Sequence, residues 1–295
     1  MKKTIFTGAA TAIVTPFKNG AVDYDMYGTL IDWQIEQGID AIVTVGTTGE
    51  CPTLTHEEHR EVIRYCVEKV AHRVPVIAGT GSNCTEEAIG LTKFAAQVGA
   101  DAALLVAPYY NKATQAGLVA SFTAVADAAD LPCVLYNVPG RTGCNIQPAT
   151  VAKLAEHPMI CAVKEASGNI SQVAQIAALA GDKIDIYSGN DDQVVPIMAL
   201  GGKGVISVLS NVAPAATVEM CRRMLEGDVA GARELQLKYL PLIDALFCEV
   251  NPIPVKTAME LLGLCSGELR LPLCRMSERH LEQLSSALKP FRASV

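Results

Sequence analysis

Residues 159–169 read MICAVKEASGN and place one lysine, Lys164, directly after four apolar residues that have the length of a buried strand. A glycine-containing loop follows, so we expect the ammonium group at the edge of a core. Loss of hydration disfavours the charged amine and can lower its pKa from about 10.4 toward neutrality, which makes a lysine nucleophilic. A lysine that ends a strand and extends its ammonium into water has the same local pattern. The rest of the chain has to decide between the two.

Short apolar segments alternate with amphipathic segments of helix length along most of the chain. The predicted strands are 9–15, 41–45, 74–78, 102–107, 133–136, 160–163, 184–187 and 204–208. The predicted helices between them include 24–36, 56–70, 86–98, 117–128 and 173–179. This order predicts an α/β fold, a (β/α)8 TIM barrel with a parallel sheet covered by helices. An open doubly wound sheet would need a glycine-rich turn after the first strand, where the chain has Thr15-Pro16-Phe17 instead.

The pattern changes near residue 228, from which point the chain reads as helical without strands. The predicted helices are 229–248, 255–262 and 278–288, with a break at the Asn-Pro-Ile-Pro stretch 251–254. These helices have too few apolar faces to fold alone. We therefore predict a catalytic barrel over 1–227 and a C-terminal helical appendage over 228–295 that packs on it.

Composition excludes several classes of protein. Half of the 295 residues are hydrophobic and 19% are charged, which suits a folded domain with a large core. The net charge of −7 argues against a nucleic-acid or anionic-membrane partner. No apolar run is long enough to span a membrane, and threonines and a proline interrupt the N-terminal apolar stretch, so we expect neither a span nor a signal peptide. Ten scattered cysteines without a Cys-x-x-Cys pair predict a reduced, cytoplasmic protein.

Polar residues follow the predicted strands, at the end of a barrel where catalytic groups are found. Each has an ordinary interpretation when taken alone: glycines form turns, a tyrosine at a strand end packs, and an arginine covers the surface. Their convergence on one rim, together with the lysine, is what predicts an active site. The stretches are 46–50 (GTTGE), 108–111 (PYYN), 136–143 (YNVPGRTG), Lys164 at the end of the sixth strand, and 188–191 (SGND).

The chain resembles the pyruvate-dependent class I aldolases of the N-acetylneuraminate lyase superfamily over essentially its whole length. The matching stretches are 46–50 (GTTGE), 136–139 (YNVP), 141–143 (RTG), 163–165 (VKE) and 251–256 (NPIPVK). The Arg-Thr-Gly stretch resembles the one found in the branch whose members condense pyruvate with L-aspartate 4-semialdehyde. Sibling lyases typically lack this arginine.

The resemblance implies a lyase that makes 4-hydroxy-tetrahydrodipicolinate, in the first committed step of lysine and diaminopimelate biosynthesis. Lys164 would form the Schiff base, and Thr47, Tyr136 and Tyr110 would relay protons. In such proteins the counterpart of Tyr110 reaches a neighbouring subunit's site, which implies a homotetramer built as a dimer of dimers. No metal and no organic cofactor is expected, because the lysine serves as the electron sink.

The resemblance also assigns substrate contacts. Thr48 would hold the pyruvate carboxylate and Arg141 the carboxylate of the semialdehyde, while Gly189 and Ile206 would contribute backbone contacts near the ketoacid. Two positions depart from the usual pattern, since Gly140 stands where relatives often carry serine and Asn190 replaces an aspartate.

A second site is implied by residues at the start of the predicted helix 56–70 and nearby. L-lysine-regulated relatives bind the end product at the matching positions, which predicts allosteric inhibition by L-lysine. The histidines are three residues apart, so the zinc-binding helix motif fails. A polar helix start capped by Thr55 explains the pattern equally well. The residues are His56, His59, Asn83, Glu87 and Tyr109.

Three other functions are compatible with parts of this sequence. A lyase for N-acetylneuraminate or another sugar-derived ketoacid would share Lys164 and Tyr136, but Arg141 argues against it. A non-catalytic carboxylate-binding protein is disfavoured because all the expected catalytic side chains are present. A metal-dependent class II aldolase needs histidine and carboxylate clusters at strand ends, and none of the five histidines lies at a predicted strand end.

Overall fold

The computed structural model describes residues 2–294, in which eight parallel strands close into a barrel. The strands are β1 (Gly8–Ala12), β2 (Ala41–Thr44), β3 (Val76–Gly79), β4 (Ala102–Val106), β5 (Cys133–Asn137), β6 (Ile160–Glu165), β7 (Asp185–Ser188) and β8 (Gly204–Ser207). The barrel closes where β1 pairs with β8, with Gly8 opposite Gly204. All eight predicted strands are confirmed, with the largest error at the end of β1.

The helices surround this barrel and continue beyond it. They are α1 (Tyr24–Glu36), α2 (His56–Val70), α3 (Thr85–Gln97), α4 (Gln115–Ala128), α5 (Pro139–Thr142), α6 (Pro148–Leu154), α7 (Ile170–Ala180), α8 (Val194–Ala199), α9 (Pro214–Leu225), α10 (Val229–Leu246), α11 (Ile253–Leu261) and α12 (Glu278–Leu288). Helix α2 begins with a capping box, in which the Thr55 hydroxyl accepts from the Glu58 amide and the Glu58 carboxylate accepts from the Thr55 amide. The predicted Thr55 cap is confirmed.

A short antiparallel hairpin was not predicted. Its strands, Phe17–Lys18 and Ala21–Val22, pair across Asn19 and Gly20. Both turn residues have positive φ, 54° and 80°, which is the conformation that Asn-Gly favours in two-residue hairpin loops. The Asn-Gly pair was therefore the signal for this hairpin.

Side chains alternate between the barrel interior and the helices. In β4, Ala102 and Leu104 belong to the cluster inside the barrel, whereas Ala103 and Leu105 pack in the layer between strands and helices. Both faces are buried, which is why the strands read as nearly continuous apolar runs. The amino end of the barrel is filled by Phe6, whose ring stacks on Tyr187 at 4.3 Å between centroids.

The C-terminal helices α10 to α12 pack against one another, and α10 packs against α8 and α9 on the barrel. Two residues of this tail reach the carboxyl ends of the strands. Lys256 in α11 forms a fully buried ion pair with Glu50, with Nζ 2.7 Å from Oε1, and Asn251 lies beside Thr48. Among residues 2–294, no helix has the length and apolar character required to cross a membrane.

Candidate active site

A cavity of about 60 Å³ opens at the carboxyl ends of the strands. A water molecule needs about 10–15 Å³ by this type of measure, so the space suits a compact ligand the size of a three-carbon acid. Ile206 is fully buried in the barrel interior, and Tyr110 lies on the surface and is 90% exposed. Six of the eight residues predicted for the catalytic site line the cavity: Thr47, Thr48, Tyr136, Arg141, Lys164 and Gly189.

Lys164 projects into this cavity from β6 and is only 5% exposed. Lys164 was predicted to end this strand. The strand continues to Glu165, so the lysine is its penultimate residue. Burial lowers the pKa of Lys164 to about 8; Asp191 opposes this shift and the Arg141 charge adds to it. The interpretation as a solvated surface lysine is therefore wrong.

Gly189 leaves the space that the lysine side chain occupies. A Cβ atom at this position would lie 2.6 Å from the Ala166 Cβ and 3.1 Å from both Cγ and Cε of Lys164. Any side chain there would displace the Lys164 side chain or Ala166, which follows β6. The resemblance places Gly189 near the ketoacid, and these distances explain why this position holds a glycine.

Tyr136 lies beside the amine. The Lys164 Nζ is 4.3 Å from the centroid of the Tyr136 ring, and the tyrosine is 7% exposed. Burial raises the pKa of the Tyr136 phenol, with Arg141 and the Thr47 hydroxyl partly offsetting the effect. The phenol is therefore protonated at neutral pH and can give a proton to an oxygen that develops negative charge near Lys164.

The loop after β2 carries Thr47 and Thr48 in a constrained backbone. The Gly49 amide donates to the Gly46 carbonyl at 3.1 Å, and the Glu50 amide donates to the Thr47 carbonyl at 3.1 Å. Val45 and Glu50, at the two ends of the loop, have positive φ of 45° and 55°. Such values are unusual for residues with side chains, and above all for a β-branched one, and they concentrate at functional sites.

Arg141 lies at the mouth of the cavity on the short helix α5. Its Nη2 donates to the Asn251 carbonyl at 3.1 Å. The Asn251 side chain in turn donates from Nδ2 to the Thr48 Oγ1 at 3.0 Å. One residue of the tail thus contacts both side chains that were predicted to bind substrate carboxylates.

Two buried carboxylates near the cavity, Asp191 and Glu165, lie in the stretches 188–191 and 163–165, but no role was predicted for either of them. Asp191 is 2% exposed, accepts from the Val208 and Leu209 amides, and has its pKa raised by burial. Glu165 is 1% exposed and accepts hydrogen bonds from Asn137, Gln172 and the Ser167 amide. Carboxylates next to apolar strands carried a signal, but their partners are distant in sequence.

A second, larger groove of about 670 Å³ adjoins the first cavity and shares Thr47, Val138 and Arg141 with it. It brings together four of the five residues predicted for an L-lysine site: His56, His59, Glu87 and Tyr109. Asn83 is not part of its lining.

The polar groups of this groove are already ordered. His56 Nδ1 lies 3.2 Å from a Glu87 oxygen, and Glu87 also accepts from Ser82. Burial lowers the pKa of His59, whose Nε2 lies 2.8 Å from the Gly79 carbonyl oxygen. That oxygen can only accept, so Nε2 carries the hydrogen and Nδ1 of the neutral ring is an acceptor.

A buried amine of lowered pKa beside a protonated phenol, at the catalytic end of a parallel barrel, defines a lyase of the Schiff-base class. Comparison with known proteins is more specific. The family model described as "Dihydrodipicolinate synthetase family" matches residues 5–291. The chain therefore belongs to the dihydrodipicolinate synthetase family, and the resemblance seen in the sequence is confirmed.

Individual relatives agree with this assignment. A 4-hydroxy-tetrahydrodipicolinate synthase of Lachnoclostridium phytofermentans is 59% identical over 287 residues, which cover 97% of this chain and 98% of the relative. A dihydrodipicolinate synthase crystal structure has a TM-score of 0.95 at 55% identity, covering 97% of this chain and 99% of that one. A lysine-bound enzyme of the same name from Cyanidioschyzon merolae has a TM-score of 0.94 at 45% identity, covering 97% and 98%.

Proposed function

We propose that this chain condenses pyruvate with L-aspartate 4-semialdehyde through a Schiff base on Lys164 and forms 4-hydroxy-tetrahydrodipicolinate. The observation that carries the proposal is the buried amine of Lys164, with its pKa lowered to about 8, next to Tyr136 and below Arg141. The relatives of this name, at 53–59% identity over nearly the whole chain, support the same reaction over the cleavage of sugar-derived ketoacids.

The first half of the reaction activates pyruvate. The neutral Lys164 amine adds to the ketone carbon, the oxygen takes up protons and leaves as water, and an iminium ion remains. Tyr136, with Thr47 beside it, supplies and removes protons at the carbinolamine oxygen. The Thr48 hydroxyl and nearby loop amides hold the carboxylate. The positive iminium nitrogen acidifies the methyl group, whose proton is lost to give an enamine.

The second half joins the two substrates. The enamine carbon attacks the aldehyde carbon, and the aldehyde oxygen takes up a proton to become the hydroxyl group of the product. Arg141 at the mouth of the cavity binds the semialdehyde carboxylate and so orients the aldehyde toward the enamine. The α-ammonium group of the new chain loses a proton, and its nitrogen attacks the iminium carbon and closes the ring. A proton then passes from the ring nitrogen to the Lys164 nitrogen, the C–N bond to Lys164 breaks, and a C=N bond remains in the ring.

Tyr110 is proposed as a relay residue for a neighbouring subunit. It has a positive φ of 70° and holds its side chain away from its own chain, at 90% exposure. A strained, exposed tyrosine next to the catalytic end of the barrel suits a residue that enters a partner's site. We therefore propose a homotetramer, as a dimer of dimers, in which Tyr110 is exchanged within each pair.

The larger groove is proposed as an L-lysine site. Glu87 offers a carboxylate to a cationic ligand, and Nδ1 of neutral His59 offers an acceptor. The groove shares Thr47 and Arg141 with the catalytic cavity, so an occupant can act directly on these two residues. The lysine-bound relative from Cyanidioschyzon merolae supports regulation by this ligand.

We also propose that the enzyme works in the cytoplasm and that its chain is organised as a barrel over 1–227 and a helical region over 228–295. All ten cysteines are free thiols, and burial raises the pKa of several of them, which suits a reducing compartment.

The decisive experiment is pyruvate consumption by the purified protein after addition of L-aspartate 4-semialdehyde. Turnover is expected, and Lys164→Ala should abolish it. Borohydride should trap pyruvate on the wild-type protein and not on the variant. Absence of consumption together with efficient trapping would contradict the proposed acceptor, whereas absence of both would contradict the Schiff-base chemistry.

A further inference from the structure

The amide of Asn251 has an acceptor oxygen without a partner. The residue lines the catalytic cavity and is only 5% exposed, yet its Oδ1 has no hydrogen-bond partner among the described residues. A buried acceptor of this kind costs free energy unless a ligand supplies a donor.

The orientation of the amide follows from Thr48. The Nδ2 of Asn251 donates to the Thr48 Oγ1 at 3.0 Å, which leaves the hydroxyl hydrogen free to bind a carboxylate. The reversed amide would take up that hydrogen, and Thr48 could no longer donate to an anionic ligand. The chemistry of a carboxylate site therefore keeps Oδ1 as the free acceptor.

Pyruvate cannot satisfy this acceptor, because its carboxylate and ketone oxygens carry no hydrogen. The second substrate can, since it has an α-ammonium group on the carbon next to its carboxylate. Arg141 Nη2 donates to the backbone carbonyl oxygen of Asn251 at 3.1 Å, so the guanidinium group lies next to Asn251. A carboxylate on Arg141 brings the ammonium of the same α-carbon close to this residue.

We infer that Asn251 Oδ1 accepts a hydrogen bond from the α-ammonium group of the semialdehyde and selects amino-acid aldehydes over aldehydes that lack the amino group. The inference rests on the proposed function. Asn251 is thus a specificity-determining residue, while its other atoms position Thr48 and Arg141.

The test compares L-aspartate 4-semialdehyde with succinate semialdehyde, which has the same chain and carboxylate but no amino group. In Asn251→Ala, kcat/KM for the amino aldehyde should fall about 10- to 100-fold, the range for a lost hydrogen bond to a charged group. The inhibition constant of succinate semialdehyde should change less than about threefold. Asn251→Asp keeps an acceptor oxygen and should keep the preference for the amino aldehyde, although its carboxylate takes up the Thr48 hydroxyl hydrogen and should weaken pyruvate binding.

Controls separate specificity from structure. Asn190→Ala removes another side-chain amide of the cavity wall. The Nδ2 of Asn190 donates to the Gln193 Oε1 at 3.4 Å, so this substitution should leave the preference for the amino aldehyde unchanged. Borohydride trapping of pyruvate and the melting temperature report on the integrity of each variant. If Asn251→Ala does not fold, the inference is tested by the preference of Asn251→Asp and by the ratio of the wild-type affinities for the two aldehydes.

Equal losses for both aldehydes in Asn251→Ala, or a wild-type protein that binds both equally, would overturn the inference. A loss of preference in Asn251→Asp would do the same. A wild-type protein that does not turn over the substrate pair would instead refute the proposed function.

Discussion

The reaction of Lys164 with pyruvate should accelerate with pH and level off near pH 8. The neutral amine is the nucleophile, and the pKa of about 8 leaves about one lysine in ten neutral at pH 7. At the ordinary pKa of 10.5, about three in ten thousand would be neutral. Burial therefore increases the reactive fraction roughly 300-fold at neutral pH, if nucleophilicity is otherwise equal.

The assay is the rate of pyruvate adduct formation on Lys164, trapped by borohydride and quantified by mass spectrometry between pH 6 and pH 10. Below pH 8 the rate should rise about tenfold per pH unit, since the neutral fraction does. Arg141→Met removes a cation that lowers the pKa of Lys164, so the plateau should begin at higher pH. Asp191→Asn removes a carboxylate that raises this pKa, so the plateau should begin at lower pH.

A rate that keeps climbing to pH 10 would show that the ammonium is hydrated in the free enzyme and would refute this reasoning. If the midpoint of the pH profile were the same in both variants as in the wild type, burial alone would lower the pKa of Lys164. The proposed effects of the Arg141 and Asp191 charges on that pKa would then be contradicted. Tyr136→Phe provides a control, because it should slow the reaction without removing the plateau.

Three further results are expected. Glu50→Gln should lower the free energy of unfolding by about 3–5 kcal/mol, because it leaves the fully buried Lys256 ammonium unpaired; urea unfolding measures this, and Glu50→Gln combined with Lys256→Met should lose less than the two single changes together. Tyr110→Phe should reduce turnover about 10- to 100-fold while pyruvate trapping persists, and full activity would contradict its relay role. Millimolar L-lysine should inhibit the wild-type enzyme and act more weakly on Glu87→Gln, since the substitution removes the carboxylate facing the groove; equal activity with and without L-lysine would exclude regulation at this site.

The barrel was predictable because its signal is local. Each strand is buried on both faces and so reads as a short apolar run, and the longer intervening helices are amphipathic, with a side chain capping the start of α1, α2, α4 and α7. Lys164 was predictable only together with the polar stretches on the same rim and the family resemblance, because its local pattern also suits a lysine that extends its ammonium into water. The hairpin at Asn19-Gly20 had a signal that went unused, because strands of two residues have no pattern of their own.

The contribution of the tail was not predictable, since it depends on contacts between residues far apart in the chain. Lys256 sits in a helix where a charged residue normally indicates the solvent face, yet it is fully buried. Its partners are Glu50 and the Thr15 carbonyl, with Nζ also 4.2 Å from the centroid of the Phe17 ring. No periodicity within α11 distinguishes this lysine from an exposed one.

These contacts give the tail a role in holding the loop after β2 that carries Thr47 and Thr48. The segment 45–50 after β2 begins and ends with residues of positive φ, Val45 and Glu50, each of which costs on the order of 1–3 kcal/mol. Such a backbone persists only where surrounding contacts enforce it. The tail supplies three of them: Asn251 holds the Thr48 hydroxyl, Lys256 pairs with Glu50, and the Arg270 amide donates to the second oxygen of Glu50. The barrel therefore presents the lysine, while the barrel and tail together shape the groups that bind the carboxylates, so substitutions in the tail should alter substrate affinity before they alter the reactivity of Lys164.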